Sequence, residues 1–220
     1  MQQSVGMGKN LADYRRVYSK GELLESELPD EPMELFSDWF EDMERIKHTI
    51  EVNAMTVSTI GEDGFPKNRV VLLKEFSKEG LVFYTNYQSD KGKALEFNPR
   101  ICISFFWNET ERQVIIQGVA EKFSEEKAVE YFNSRPRGSQ LGAWASNQSR
   151  EIASREILEK CLIELETEYK DKEIPKPPHW GGYLVRPVNF EFWQGRPNRL
   201  HDRIMFEKSN DSWKIKRLAP

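Results

Sequence analysis

From Ala54 to the C-terminal end the chain keeps returning to one pattern, a short run of strand period followed by a compact turn cluster. Residues 55–60 alternate and run into Gly61-Glu-Asp-Gly64, and residues 68–76 return as a partner strand. Ser77-Lys-Glu-Gly80 makes the next turn and residues 81–85 a third strand. Residues 101–107 and 113–123 read as a hairpin around Asn108-Glu-Thr-Glu-Arg112. Two closing strands follow near 182–193 and 199–206, and 212–217 pairs back through Lys208-Ser-Asn-Asp211. Roughly six to eight mostly antiparallel strands with helices between and outside them predict a closed or partly closed β-barrel, mainly β with flanking helices.

The helices carry their own start and stop signals. Asp30-Glu31-Pro32 opens one, with Phe36, Trp39, Phe40 and Met43 at helical spacing as its buried stripe. A short helix spans 89–97, stopped by Asn98-Pro99, and Ser124 caps another that ends before Pro136. A longer helix covers about 150–170, with Leu158, Cys161, Leu162, Leu165 and Tyr169 on one face, before the stiff connector Pro175, Pro177 and Pro178. Residues 1–29 are polar and weakly patterned and read as a mobile arm, which leaves 30–220 as a single domain.

Composition excludes several functions. Lys and Arg number 32 against 36 Asp and Glu, a net charge of −4, so the chain lacks the basic excess that rewards a nucleic-acid binder through counterion release. A local basic pocket in an acidic protein suits a small phosphorylated ligand better. No stretch approaches the ~20 apolar residues of a membrane span, and residues 1–10 carry no apolar signal core. Cys102 and Cys161 are too few and too scattered for a disulfide framework or a metal cluster, and both read as core residues. The expectation is a cytoplasmic protein with no metal, membrane or nucleic-acid partner.

The richest segment is Trp193-Gln194-Gly195 followed by Arg199-Leu200-His201-Asp202-Arg203. On a strand, Arg199, His201 and Arg203 line one face, with Leu200 and Asp202 opposite. Taken alone, such a run also suits a solvated edge strand. Ser89-Asp-Lys91 at a helix start can cradle an anion with free main-chain N–H groups, or simply cap the helix beside a solvated lysine. Tyr131 and Arg135 stand four apart, so they share a helix face, with Ser139 beyond the Pro136 break. A guanidinium with two hydroxyls matches a phosphate monoester.

The run W-Q-G-x-x-x-R-L-H-D-R resembles the C-terminal signature of the pyridoxine (pyridoxamine) 5′-phosphate oxidase family. The resemblance continues through Arg69-Val-Val-Leu-Leu-Lys74, Phe83-Tyr-Thr-Asn86, Tyr131-Phe-Asn-Ser-Arg-Pro136, Ser139-Gln140, Gln148-Ser149 and Arg217-Leu-Ala-Pro220. These blocks keep family order over about residues 11–220. The resemblance implies an FMN-binding split barrel, a homodimer with flavin in the interface. It also implies oxidation of pyridoxine or pyridoxamine 5′-phosphate by O2 to pyridoxal 5′-phosphate, with H2O2 released, and ammonia from the amine.

Carried over residue by residue, Arg69, Val70, Val71, Leu72, Lys74, Tyr84, Thr85, Ser89, Lys91, Gln113, Gln148, Ser149, Trp193 and Arg203 are expected at the flavin. Lys74, Tyr131, Arg135 and Ser139 are expected to hold the substrate phosphate, and Arg199, Leu200 and His201 its pyridine ring. Arg199 and His201 are the expected catalytic pair. Arg15 and Tyr18 match a segment that folds over the substrate, although a disordered arm suits the same residues. One departure stands out: Asp90 occupies a position where the family commonly has Arg, so it is left out of the phosphate site. His48 and His179 lie outside every block and read as structural or solvated. A split-barrel flavoprotein acting on another substrate and a non-catalytic FMN or pyridoxal phosphate carrier are the competing readings. The full substrate set favours the oxidase over the first, and turnover with O2 would separate it from the second.

Overall fold

The computed structural model describes residues 9–46 and 51–220. His48 lies outside them. Helix α1 (Pro32–Glu44) starts with Pro at its first turn, as its sequence predicts. Phe36, Trp39 and Met43 are buried and Phe40 packs half-buried beside them. Phe36 meets Phe76 edge-on at 5.1 Å and Phe105 at 5.2 Å, and Trp39 meets Phe192 at 5.2 Å. Truncating a fully enclosed ring such as Phe36 to Ala costs about 3–5 kcal/mol.

Among the described residues, nine antiparallel strands form one sheet. Strands β1 (Ala54–Ile60), β5 (Arg100–Trp107) and β6 (Arg112–Lys122) bury alternate side chains on one face, the signature of a sheet with one face on the core. The order runs β2-β1-β5-β6-β7-β4-β3, where β2 is Pro66–Leu72, β3 Glu75–Ser77, β4 Gly80–Asn86 and β7 Trp180–Gln194. The edge strand β2 comes back against β4 near the other edge, so the sheet curls into a split barrel. Strand β7 is the spine. One of its edges pairs with β6; the other pairs first with β4 and then with β8 (Asp202–Ser209), which pairs in turn with β9 (Ser212–Arg217).

Four expectations need correction. The run 68–76 is two strands: β2 pairs with β1, and after Leu73 the chain crosses over, with Lys74 N–H donating to Val82 O, so that β3 pairs with β4. The strand placed at 199–206 begins only at Asp202. Pro197–Arg199 is a 3₁₀ turn with Asn198 and Arg199 at φ 57° and 62°, so the period-two face of Arg199, His201 and Arg203 does not exist. The long helix is shorter, α5 (Arg155–Glu168), with its predicted stripe half-buried, and an unanticipated α4 (Arg137–Ala145) precedes it. Cys102 and Cys161 are only half-buried.

Helices α2 (Asp90–Phe97) and α3 (Glu125–Ser134) start where expected, each capped by a serine hydroxyl, Ser89 accepting from Gly92 N–H and Ser124 from Lys127 N–H. Phe132, Leu141, Ile174 and Trp180 form a second small core under α3, α4 and α5. Among the described residues no helix is long and apolar enough to cross a membrane.

Candidate functional site

The end of β4, the start of β7 and the α3–α4 junction enclose a cleft of about 470 Å³. Val70, Val71, Leu72 and Lys74 line one side of it, Tyr84, Thr85, Lys91 and Gln148 another, and Tyr131, Arg135 and Ser139 a third. Its floor is aromatic. Tyr84 stacks on Tyr131 at 4.3 Å and on Trp180 at 5.3 Å, the latter 6° from parallel. The Arg135 guanidinium lies 4.9 Å over Trp180, and Lys74 Nζ 5.9 Å from the Tyr131 ring. Burial pushes the Tyr84 hydroxyl up to about 12, so it stays protonated. Trp180 is the residue the sequence reading missed here, because a tryptophan after a proline-rich connector looks like ordinary core.

Arg135 reaches this position differently from the helix-face argument. The helix stops at Ser134 and Arg135 is its C-cap with ψ 148°, extended because Pro136 disfavours the helical conformation in the residue before it. Its Nη1 is, among the described residues, the one buried side-chain nitrogen or oxygen without a hydrogen-bond partner. Burial lowers the pKa of this guanidinium. A buried unpaired donor is expensive, so an anion that accepts from it is strongly favoured.

A second cationic pair is Lys91, which lines the same cleft, and Arg69 on β2. Lys91 Nζ reaches only neutral groups, Thr85 Oγ1 at 3.0 Å, Ser89 Oγ at 3.4 Å and Gln148 Oε1 at 3.5 Å. Its pKa is lowered by burial and then by the charge of Arg69. Arg69 donates to Thr59 Oγ1 at 2.7 Å and to Val57 O at 3.3 Å, and burial lowers its pKa too. Ser89 is fully buried, and its hydroxyl donates to Asn86 O while capping α2. Asp90 is exposed at the helix start, where its N–H donates to Ser149 Oγ at 3.2 Å. Ser149 holds a left-handed φ of 67°.

The remaining predicted residues gather elsewhere. Trp193 sits between Gln113 and Arg203 across β6, β7 and β8. Gln113 donates to Ser104 Oγ at 3.2 Å. Arg203 donates to Glu191 at 2.8 Å and to Ala219 O, a carboxylate pairing that Lys91, Arg69 and Arg135 lack. His201 lies 4.7 Å from Trp193, and Tyr18 meets both rings edge-on at 5.6 and 5.7 Å. Arg15, Tyr18, Arg199 and His201 line a cleft of about 700 Å³. Leu200 is 69% exposed. His179 Nε2 stands 3.3 Å from Ala143 O beneath α4, a packing role.

The two groups belong to opposite ends of β7. Tyr84 and Thr85 pair with Gly182 and Gly181, while Trp193 comes eleven residues after Gly182, about 36 Å along the strand. A flavin mononucleotide is shorter than that contour. The donor chemistry of the first cleft nevertheless fits one: half-buried Lys91 in its lining and half-buried Arg69 on β2, both without carboxylate partners, for a phosphate, and neutral Gln and Thr groups around Lys91. Among the described residues no cluster of His, Cys, Asp and Glu is arranged to hold a metal ion.

A family model described as pyridoxamine 5′-phosphate oxidase matches residues 43–167, and one described as pyridoxine 5′-phosphate oxidase C-terminal dimerisation region matches 180–220. The pyridoxine/pyridoxamine 5′-phosphate oxidase of Christiangramia forsetii is 61% identical over 214 residues, covering 97% of this chain and 100% of that protein. The protein of the same name from Flavobacterium johnsoniae is 59% identical over 211 residues, 96% of this chain and 99% of that protein. Among solved structures, PhzG from Burkholderia lata 383 in complex with tetrahydrophenazine-1-carboxylic acid superposes with a TM-score of 0.84 at 28% identity, covering 92% of this chain and 100% of that one. A pyridoxamine 5′-phosphate oxidase-related, FMN binding protein from Nostoc punctiforme shares the fold, with a TM-score of 0.67 at 14% identity over 85% of this chain and 96% of that one.

Proposed function

This chain belongs to the pyridoxamine 5′-phosphate oxidase family, and on that premise we propose that it is an FMN enzyme that oxidises pyridoxine or pyridoxamine 5′-phosphate with O2 to pyridoxal 5′-phosphate. The observation that carries this reading is the unpartnered, buried Nη1 of Arg135 in a cleft shared with Lys74, Tyr131 and Ser139. These four side chains hold the substrate's phosphate monoester. The stacked Tyr84, Tyr131 and Trp180 keep Arg135 and Lys74 preorganised for it.

The neighbouring pair Arg69 and Lys91 takes the FMN phosphate, helped by Thr85, Gln148 and the free N–H groups at the start of α2. Val70, Val71 and Leu72 lay their strand along the ring. The protein works as a homodimer, in line with the dimerisation-region match at 180–220. Trp193, Gln113, Arg199, His201 and Arg203 are then supplied to each site by the second copy, since they stand at the far end of β7 in their own chain.

Hydride acceptance from C4′ and return of the electrons to O2, with H2O2 released, is the chemistry that bound FMN supplies. The protein's part is to orient and polarise. Loss of hydride builds positive charge at C4′, so Arg199 beside an ionised 3-oxygen favours the reacting form. His201 Nδ1 accepts from the Arg196 main-chain N–H at 3.0 Å, which leaves Nε2–H as a donor. That geometry suits binding a ring substituent better than removing the 4′ proton. With the amine substrate, hydrolysis releases ammonia.

The test is peroxide formation by the FMN-loaded protein with pyridoxine 5′-phosphate, pyridoxamine 5′-phosphate and unphosphorylated pyridoxine. The reading predicts stoichiometric peroxide and pyridoxal 5′-phosphate from the two phosphorylated compounds alone. Retained flavin without peroxide would point to a carrier.

A further inference from the structure

Glu111 sits in the turn between β5 and β6, two residues before Gln113, and has no role in the site described above. It is 2% exposed, yet it is an acid. Its Oε2 accepts from the main-chain N–H groups of Ser19 at 2.7 Å and Lys20 at 3.0 Å, and its Oε1 lies 3.6 Å from Arg16. The same turn takes Arg16 on Asn108 Oδ1 at 3.2 Å and Lys20 Nζ on Glu109 O. The Glu111 carbonyl accepts from Gly195 N–H at 2.8 Å and from Gln194 Nε2 at 3.3 Å. One residue therefore joins the inner end of the arm to the Trp193-Gln194-Gly195 segment.

The backbone underlines the point. Glu111 holds φ 58°, the left-handed region where a turn ordinarily takes Gly or Asn. Strain of this kind persists where the surroundings over-determine it, and here the side chain is fully used. Gly195 completes the fit: a Cβ there would stand 2.8 Å from Tyr18 Cβ and 3.1 Å from Glu111 Cβ. The arm thus lies directly on the main chain at Gly195, with Tyr18 edge-on to Trp193 and His201.

We propose that Glu111 is a positioning residue for the oxidase reaction, a buried carboxylate that latches residues 16–20 so that Tyr18 is held against Trp193 and His201 over the ring end of the substrate site. This rests on the oxidase reading for its kinetic consequences; the latch itself rests only on the contacts above. Two charge-assisted bonds to main-chain N–H groups are the strong kind, and their loss frees the arm without touching the cleft that binds phosphate.

The experiment compares the wild-type holoenzyme with E111G, E111Q and Y18A. Gly relieves the left-handed backbone while removing the latch, so E111G folds. Gln keeps an oxygen that can accept from Ser19 and Lys20, so it restores part of the function. Trypsin cleavage after Arg16 or Lys20 should be about tenfold faster in E111G and intermediate in E111Q. KM for pyridoxine 5′-phosphate should rise about tenfold in E111G with kcat within about threefold, and the double variant E111G/Y18A should be no worse than Y18A alone. Unchanged arm cleavage in E111G, or KM effects of E111G and Y18A that simply add, would overturn the latch. Faster cleavage in a protein that makes no peroxide would sink the oxidase reading and leave the latch standing.

Discussion

The main-chain N–H of Arg196 donates to Nδ1 of His201 at 3.0 Å, which fixes the neutral imidazole with its proton on Nε2. Burial first, and then the charge of Arg199, lower the pKa of this ring below its ordinary 6.5. The sign follows directly. Between the depressed folded value and the unfolded one, the unfolded chain binds more protons, so stability from this contact is full above about pH 6.5 and is lost as pH falls through the folded pKa. An imidazole NMR titration should place His201 below 6.5, and R199Q should move it upward. A His201 that titrates at or above 6.5 in the wild type would contradict the assignment.

Arg135 offers a prediction with two sides. Its unpartnered buried Nη1 is a cost in the ligand-free protein, and on the proposed reading it becomes the chief donor in the phosphate complex. R135A should raise KM for pyridoxine 5′-phosphate by about 100-fold, from the loss of about 3 kcal/mol of charge-assisted bonding. Without phosphate, the same variant should melt no lower than wild type. A variant that loses stability but keeps its KM would make Arg135 a structural residue.

The field of Asp90 reaches Arg69 and Lys91 and raises both their pKa values, against the larger effects of burial. The acid is exposed and forms no ion pair with either, so its influence on a bound phosphate is modest and screened by salt. D90N should tighten FMN binding to the apoprotein about threefold at low salt, read by flavin fluorescence, and less at high salt. Weaker FMN binding in D90N would mean that the acid serves the α2 N-terminus instead.

Gly92, in the first turn of α2, lies against the main chain of Tyr87, so a Cβ there would collide with Tyr87 O. The three nearest atoms are all main chain of Tyr87, so no flexible side chain can yield. G92A should destabilise the protein by about 3 kcal/mol and lower FMN retention with it, because α2 carries Lys91. Normal flavin loading in a melted-down variant would uncouple the helix from the cofactor.

On the proposed reading, the residues at the two ends of β7 serve one site only when two copies of the chain build it together. Assayed with substrate well below KM, R135A and R199A should each be nearly inactive alone. Co-expressed, they should recover about a quarter of wild-type activity, since half of randomly paired dimers are hybrid and each hybrid holds one intact site of two. No recovery in verified hybrid dimers would place both arginines in the same chain's site.

The strands were legible because alternation in β1, β5 and β6 reports directly which face is buried. Helix α4 was not, since Gly138 and Gly142 dilute its propensity and Leu141 alone is buried, leaving no stripe to read. The strand expected at Arg199 failed because Pro197-Asn198 breaks the extended chain before β8, a turn signal outweighed by the apparent alternation of charges. The gathering of Lys74, Tyr131, Arg135 and Ser139 in one cleft was legible through the resemblance, but the way it forms was not. Arg135 turns into the cleft as an extended C-cap before Pro136 and rests on Trp180, a tertiary contact that spacing within α3 does not encode.

The most direct test of the whole account is a visible spectrum of the FMN-loaded protein under anaerobic conditions, before and after adding pyridoxine 5′-phosphate. Bleaching of the oxidised-flavin band, reversed by air with formation of peroxide, is the predicted result. A flavin band that ignores the phosphorylated substrate would contradict the oxidase assignment.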